Sequence, residues 1–221
     1  MRATWRWLGL ALTLAHLAPG PAGAGTITGT VALKPAAKSK VPPRYYLGPY
    51  RSARGEAADT AAFGEVVVAL QGGNLNQQYP PPAQPLKMLQ KGQQFVPRVM
   101  AALVGTTVEF PNQDNFYHNV FSVAGGERFD LGRFGQGDSA SQIFTKSAVV
   151  VIHCEIHADM KAYILVLGNP FFAMPDAGGR FQIEGVPAGT YTLRAWHPTQ
   201  GEQEMQVVVP AEGSVEVRLS L

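Results

Sequence analysis

Sulfur and nitrogen side chains crowd into one short stretch of this sequence. Cys154, the only cysteine of the chain, is followed by His157 and Met160 at the spacing Cys-x2-His-x2-Met. A thiolate, an imidazole and a weak thioether are three of the four donors of a blue-copper electron-transfer site, which also needs a second imidazole. His118 can supply that imidazole from a separate segment. The pattern therefore predicts one copper ion with His118, Cys154, His157 and Met160 as ligands.

Two elements must bring these donors together. Three donors within seven residues require a tight loop at the end of a strand, and the apolar segment 148–153 is predicted to be that strand. A further strand is predicted at 162–167, directly after the loop, and His118 begins another at 118–123. A loop and a distant strand would clamp the ion from two sides, so that its ligands rearrange little between Cu(II) and Cu(I).

The composition favours strands and turns over helices. The chain has 24 glycines and 17 prolines, and only 15% of its residues are charged. About eight short apolar segments separated by turn residues lie between 86 and 167, which is typical of a β-sandwich or barrel. We therefore predict an all-β fold with a first domain boundary near the proline-rich connector 79–85.

Further strands are predicted at both ends of the chain, outside the segment that carries the donors. Strands are predicted at 27–33 and 65–70, on either side of a basic, tyrosine-rich loop at 34–62, and at least four more follow in 169–221. A fragment the size of 169–221 would bury too little surface to be stable alone. We therefore predict that 25–75 and 169–221 form one sandwich, with the metal domain, 86–167, inserted between them.

Residues 1–24 resemble a secretory signal peptide. Arg2 and Arg6 precede an apolar run that is too short to span a bilayer, and Ala22-Gly23-Ala24 provides a small-residue cleavage site. We expect a periplasmic or secreted protein with no membrane anchor after cleavage. Removing two arginines from 18 basic residues leaves 16 against 16 acidic residues, which does not suggest nucleic acid as a partner.

Residues 86–167 resemble a cupredoxin with a Greek-key β-sandwich. The motifs that carry the resemblance are Val108-Glu109-Phe110-Pro111-Asn112, His118-Asn119-Val120 and the loop Cys154-Glu155-Ile156-His157-Ala158-Asp159-Met160, whose spacing is similar to that of amicyanin and shorter than that of plastocyanin. The resemblance implies that Asn119 braces the ligand loop by hydrogen bonding. It also implies that His157 is the electron exit and that a protein redox partner docks beside it on a small apolar patch, Ile156 and Ala158.

The C-terminal segment resembles a second family. Gly179-Arg180-Phe181 and the turn Val186-Pro187-Ala188-Gly189 are similar to the second half of a transthyretin-like, carboxypeptidase-regulatory-type sandwich. The complete arrangement is similar to exported plastocyanin-like proteins, some of which are described as methylamine-utilisation proteins. This likeness is an analogy and identifies no partner.

The sequence predicts an exported, single-copper electron carrier that is not an enzyme. One alternative is a module in which copper serves storage or structure, and another is a second sandwich that binds carbohydrate or protein. Taken singly, each residue has an ordinary structural explanation, since a lone thiol or methionine is usually buried core. No His-x-His pair is present to build a second copper centre. His153 should point away from Cys154 because side chains alternate along a strand, and it is interpreted as structural or interdomain. His197, at the end of a strand, is interpreted as structural.

Overall fold

The computed structural model describes residues 23–34, 63–73, 75, 77–124 and 126–221. Most of the predicted signal peptide, 1–24, and of the predicted basic loop, 34–62, therefore lies outside the described residues. The described residues form seventeen strands, which confirms the all-β prediction. None of them forms a helix with the length and apolar character needed to cross a membrane. The strands are β1 (Ala24–Ala32), β2 (Val67–Gln71), β3 (Leu86–Lys87), β4 (Leu89–Gln90), β5 (Phe95–Val96), β6 (Val99–Leu103), β7 (Thr107–Pro111), β8 (His118–Ser122), β9 (Phe129–Phe134), β10 (Ser139–Ile143), β11 (Ala148–His153), β12 (Lys161–Leu167), β13 (Phe172–Ala173), β14 (Arg180–Pro187), β15 (Gly189–His197), β16 (Gly201–Val209) and β17 (Ser214–Ser220).

Strands from the two ends of the chain share two sheets. One sheet has the order β14-β1-β17, with β1 antiparallel to β14 and parallel to β17, and the other has the order β13-β2-β15-β16. Buried side chains of both sheets, among them Ile27, Leu70, Leu193 and Val217, form one hydrophobic cluster. The strands β1 and β2 are therefore central in their sheets, although they are first in sequence.

Alternation along β1 decides which of its faces is buried. Ile27 and Val31 point into the core while the threonines between them are more exposed, as expected for period-two side chains in a strand. Gly29 occupies one of the inward positions. A Cβ there would lie 2.6 Å from the backbone oxygen of Val217 and 2.8 Å from the ring of Phe181, so only glycine permits this close approach.

The strands from 86 to 167 form the sheets that carry the predicted ligands. One sheet has the order β10-β7-β3, a second has the order β6-β12-β11-β8-β9, and β4 and β5 form a hairpin. Their buried side chains form a second hydrophobic cluster that contains Phe110, Phe144, Ile152, Cys154 and Met160. The cysteine and the methionine thus lie at the edge of a packed core, where their positions are restricted.

A third cluster joins the two groups of sheets. Val67 of β2 packs with Val99 of β6 and Leu165 of β12, and Val149 of β11 and Trp196 of β15 lie against them. This contact explains why the sequence of β11 is apolar at successive positions and does not alternate. One face of β11 contributes Val150 and Ile152 to the second hydrophobic cluster, and the other face meets the cluster that contains Val67 and Trp196.

The sequence of 86–95 predicts one strand interrupted at Gly92, but the structure does not form one strand there. The structure contains three two-residue strands there, because Met88 separates β3 from β4 and the turn at Gly92 and Gln93 separates β4 from β5. β3 pairs with β7, whereas β4 and β5 pair with each other. The turn lies close to His118, because the side chain of Asp114 contacts both of them.

Candidate metal centre

Two neighbouring strands and one loop position the candidate site. His118 is the first residue of β8, and Cys154 directly follows β11, which lies next to β8 in the sheet. The backbone N–H of Met160 donates to the carbonyl of His157 over 3.0 Å, and that of Cys154 donates to the carbonyl of Met160 over 3.3 Å. These bonds close residues 154–160 into a tight loop between β11 and β12, which agrees with the expectation from the sequence.

The structure brings three of the predicted donors together. The Nδ1 atoms of His118 and His157 are 3.1 Å apart, and Sγ of Cys154 lies 3.9 Å from the first and 3.8 Å from the second. His118 and Cys154 are buried and His157 is half-buried. The ligand atoms of these three described residues all lie within 4.8 Å of one another, so that they could hold a metal ion.

The size of this triangle fits a first-row metal ion. With sides of 3.1, 3.8 and 3.9 Å, the point equidistant from the three atoms lies about 2.1 Å from each. Bonds from ring nitrogens and thiolates to an ion such as zinc are about 2.0–2.3 Å long. The three donors could therefore hold one small cation with little rearrangement.

Met160, the predicted fourth donor, is placed in the same core. Its side chain is 1% exposed and belongs to the hydrophobic cluster that contains Cys154. The backbone bonds that close the ligand loop start and end at this residue. Its position is therefore coupled to those of Cys154 and His157, and it is shielded from water.

Asn119 connects β8 to the ligand loop. Its side-chain oxygen accepts a hydrogen bond of 3.3 Å from the backbone N–H of Glu155, and its side-chain nitrogen donates to Asp130 over 2.7 Å. Its own backbone N–H donates to Sγ of Cys154 over 3.5 Å. Such contacts orient a sulfur ligand and stabilise negative charge on it.

Asp114 is a residue of the site that the sequence interpretation missed. Its Oδ2 lies 2.8 Å from Nε2 of His118, within hydrogen-bonding distance, while Nδ1 of the same ring faces the other donors. Burial would raise the pKa of Asp114, but hydrogen bonds from Gln93, His118 and Gly92 outweigh it and hold that pKa below its usual value. An acidic residue four positions before a predicted histidine ligand is the sequence signal that could have indicated it.

Aromatic and apolar side chains surround the two histidines. The ring of Phe116 lies 5.1 Å from that of His118 and 5.5 Å from that of His157, measured between centroids. Phe116 is 36% exposed, Tyr117 is 64% exposed and Ile156 is 40% exposed. The His157 side of the site therefore opens onto a small apolar surface.

The remaining two histidines of the described residues lie outside the donor triangle. The ring of His153 packs against that of Phe121, with 5.6 Å between centroids, and burial together with Lys161 lowers its pKa. His197 is buried in the other group of sheets, where its Nδ1 accepts hydrogen bonds from the backbone N–H groups of Thr199 and Gln200. These contacts are structural in kind.

Comparison with known proteins finds similarity in structure. No family model matches the chain. No curated protein matches it either. A copper-containing nitrite reductase from Thermus scotoductus SA-01 is similar over 42% of this chain, with 33% sequence identity and a TM-score of 0.37, and the match spans 26% of that enzyme.

Two smaller proteins are matched over almost their entire length. A purple cupredoxin from Nitrosopumilus maritimus is 21% identical, with 37% of this chain and 99% of that protein covered and a TM-score of 0.34. A reduced mutant of amicyanin is 18% identical, with 45% of this chain and 98% of that protein covered and a TM-score of 0.37. Each of these matches covers less than half of this chain. The transthyretin-like resemblance of the C-terminal segment stays a prediction.

Proposed function

We propose that this protein is a type 1 copper protein that carries single electrons between redox partners. One copper ion would be held by His118, Cys154, His157 and Met160. The observation that carries the proposal is the buried triangle of two Nδ1 atoms and one Sγ, with sides of 3.1 to 3.9 Å. Two imidazoles, a thiolate and a weak thioether form the donor set of blue-copper sites, which when bound to copper supply one-electron chemistry.

The protein's own residues support such a role by holding the donors still. β8 and the ligand loop approach the site from two sides, and Asn119 joins them through its bonds to Cys154 and Glu155. Burial of His118, Cys154 and Met160 excludes water from most of the site. A rigid and dry donor set favours fast electron transfer, since little has to move when the charge of the ion changes.

The same features support a carrier over an enzyme. Catalytic metal sites keep an open position for water or substrate, whereas four protein donors would fill a small cation's coordination sphere. His157 is the least buried of the three clustered donors. The exposed ring of Phe116 lies 5.5 Å from its ring, and the exposed Ile156 precedes it in the loop. We infer that a protein redox partner docks on this apolar surface beside His157, with neither nucleic acid nor a membrane involved.

We also propose export to the periplasm or the exterior, on the basis of the signal-like residues 1–24. The domain arrangement predicted from the sequence is proposed here too, with 86–167 inserted into a sandwich formed by 25–75 and 169–221. It is supported by the pairing of β1 and β2 with β14, β15 and β17. The chain also leaves and re-enters these sheets at neighbouring points, because Asn169 donates to the carbonyl of Leu70 over 2.9 Å.

The test is an optical and EPR spectrum of the purified, oxidised, copper-loaded protein. We expect an intense visible thiolate-to-Cu(II) band in the wild type and its loss in Cys154→Ser, together with a reversible one-electron wave. The variant should still bind Cu(II) through the imidazoles. A wild type that binds Cu(I) but gives no coloured Cu(II) form would contradict the carrier role and favour storage. Colour that persists in Cys154→Ser would contradict the assigned thiolate.

A further inference from the structure

The carboxylate of Asp114 is held by three donors. Its Oδ2 lies 2.8 Å from Nε2 of His118, and it also accepts a 3.0 Å hydrogen bond from the backbone N–H of Gln93. Its Oδ1 accepts a 2.6 Å bond from the backbone N–H of Gly92. The Asp114 side chain is only 10% exposed and the His118 side chain is fully buried. The hydrogen bond between Asp114 and His118 is therefore shielded from bulk water, which strengthens it relative to a surface contact.

The β4–β5 turn is shaped to make these bonds. Gly92 has a φ of 63° and Gln93 a φ of 57°, and Gln93 is the one non-glycine residue of the described part with a positive φ. A left-handed backbone is unfavourable for a residue with a Cβ. The turn is closed by the N–H of Lys91, which donates to the carbonyl of Gln94 over 2.9 Å. Its left-handed conformation directs two successive N–H groups at Asp114.

A hydrogen bond from the backbone of Asp114 also holds this residue in place. Its N–H donates to the side-chain oxygen of Asn112 over 2.9 Å, and the side-chain nitrogen of Asn112 donates to the carbonyls of Phe116 and Phe134 over 2.8 and 3.0 Å. Asn112 is 1% exposed. The carboxylate is thus held by the hairpin and by Asn112 independently of the histidine it contacts.

We propose that Asp114 is a positioning residue that fixes the tautomer of His118 and lowers the reduction potential of the copper site. The inference rests on the proposed function. Because Nε2–H donates to a carboxylate, the lone pair of Nδ1 faces Cys154 and His157, and the ring becomes a stronger donor. A stronger donor and a nearby negative charge both favour the more highly charged Cu(II).

The experiment compares the copper-loaded wild type with Asp114→Asn and with the matched control Asp138→Asn, an exposed carboxylate that accepts a hydrogen bond from the N–H of Gly135. We expect Asp114→Asn to stay coloured but to bind Cu(II) about tenfold more weakly or worse, as for other residues that support metal ligands. If the affinity for Cu(II) falls tenfold more than the affinity for Cu(I), the reduction potential rises by about 59 mV. The control should leave both quantities unchanged.

The outcomes separate this proposal from the previous one. A wild type without the thiolate-to-Cu(II) band would contradict the proposed function itself. If the wild type is coloured but Asp114→Asn has the same reduction potential, only the role of Asp114 is overturned. The same holds if Asp138→Asn raises the reduction potential as much as Asp114→Asn does. If Asp114→Asn does not fold, a nitrogen–proton NMR spectrum of the wild-type Cu(I) protein decides. A proton on Nε2 of His118 that exchanges slowly with water supports the proposal, and a proton-free Nε2 overturns it.

Discussion

The backbone N–H of Asn119 donates to Sγ of Cys154 over 3.5 Å and so connects the strand of one predicted ligand to the loop of two others. The side chain of the same residue holds the backbone of Glu155 and the carboxylate of Asp130. A single asparagine therefore spans β8, β9 and the ligand loop. Its side chain can be removed without touching any of the four proposed ligands.

Asn119→Ala should weaken copper binding by about 10–100-fold, because the ligand loop loses the side-chain contact that holds it against β8. The backbone bond to Cys154 does not depend on the side chain and should keep the variant coloured. Competition with a chelator of known copper affinity measures the effect. Asn115→Ala, at an exposed position nearby, is the control and should bind copper as the wild type does. Equal affinity in Asn119→Ala and in the wild type would contradict the bracing role.

The sequence predicted contacts that follow from local spacing or strong chemical type. Cys154, His157 and Met160 lie within seven residues, so any tight loop keeps them close. The chain has one cysteine, and its neighbours at +3 and +6 indicate a metal ligand. His118 is predicted from its chemical type, but its convergence on this loop needs β8 to lie beside β11, which spacing along the chain does not determine. Asp114 was missed because its donors at Gly92 and Gln93 lie more than twenty residues away in a hairpin that reads as a broken strand.

Met160→Leu should keep the visible band and raise the reduction potential, because a weak axial donor that favours Cu(II) is lost. Leucine has a similar volume, so the core around residue 160 should repack at a cost below about 1.5 kcal/mol. Cyclic voltammetry of both proteins gives the potential, and thermal unfolding of the copper-free forms reports the packing. A lower potential in the variant would contradict the axial role of Met160.

Removing copper should lower the melting temperature. A ligand that binds only the native state adds RT ln(1 + [L]/Kd), which is about 2.7 kcal/mol at a free concentration one hundred times Kd. Differential scanning calorimetry of copper-free and copper-loaded protein measures the difference. Cys154→Ser, which lacks the thiolate, should show a smaller stabilisation by copper. Identical melting curves with and without copper would mean that the folded site does not hold the ion.

Glu127 should contribute stability that depends on pH. Burial would raise its pKa, but hydrogen bonds from the N–H groups and hydroxyl of Thr145 and Lys146 outweigh it and place the pKa below 4.5, its ordinary value. A carboxyl whose pKa is lower in the folded state stabilises the protein above the pKa of the unfolded chain. That stability is lost as the pH falls from 4.5 through the folded pKa.

Glu127→Gln should therefore reduce the free energy of unfolding by about 1 kcal/mol at pH 7, since the charged acceptor of four hydrogen bonds is replaced by a neutral one. The difference from the wild type should shrink as the pH falls below 4.5. Urea unfolding of the copper-free proteins at a series of pH values measures it. Glu212→Gln, at an exposed position, is the control and should follow the wild type throughout. A difference that is independent of pH would show that the charge of Glu127 is not responsible.

The isolated segment 169–221 should fail to fold, because the sheets it belongs to have their central strands elsewhere. β1 lies between β14 and β17, and β2 lies between β13 and β15. Without them, buried side chains such as Leu193 and Val217 lose the partners Ile27 and Leu70 in their cluster. A chain in which 76–168 is replaced by a short linker should fold, since Leu70 and Asn169 are already in contact. Sharp, dispersed NMR spectra from 169–221 alone would contradict the inserted arrangement, and so would an unfolded chain carrying the linker.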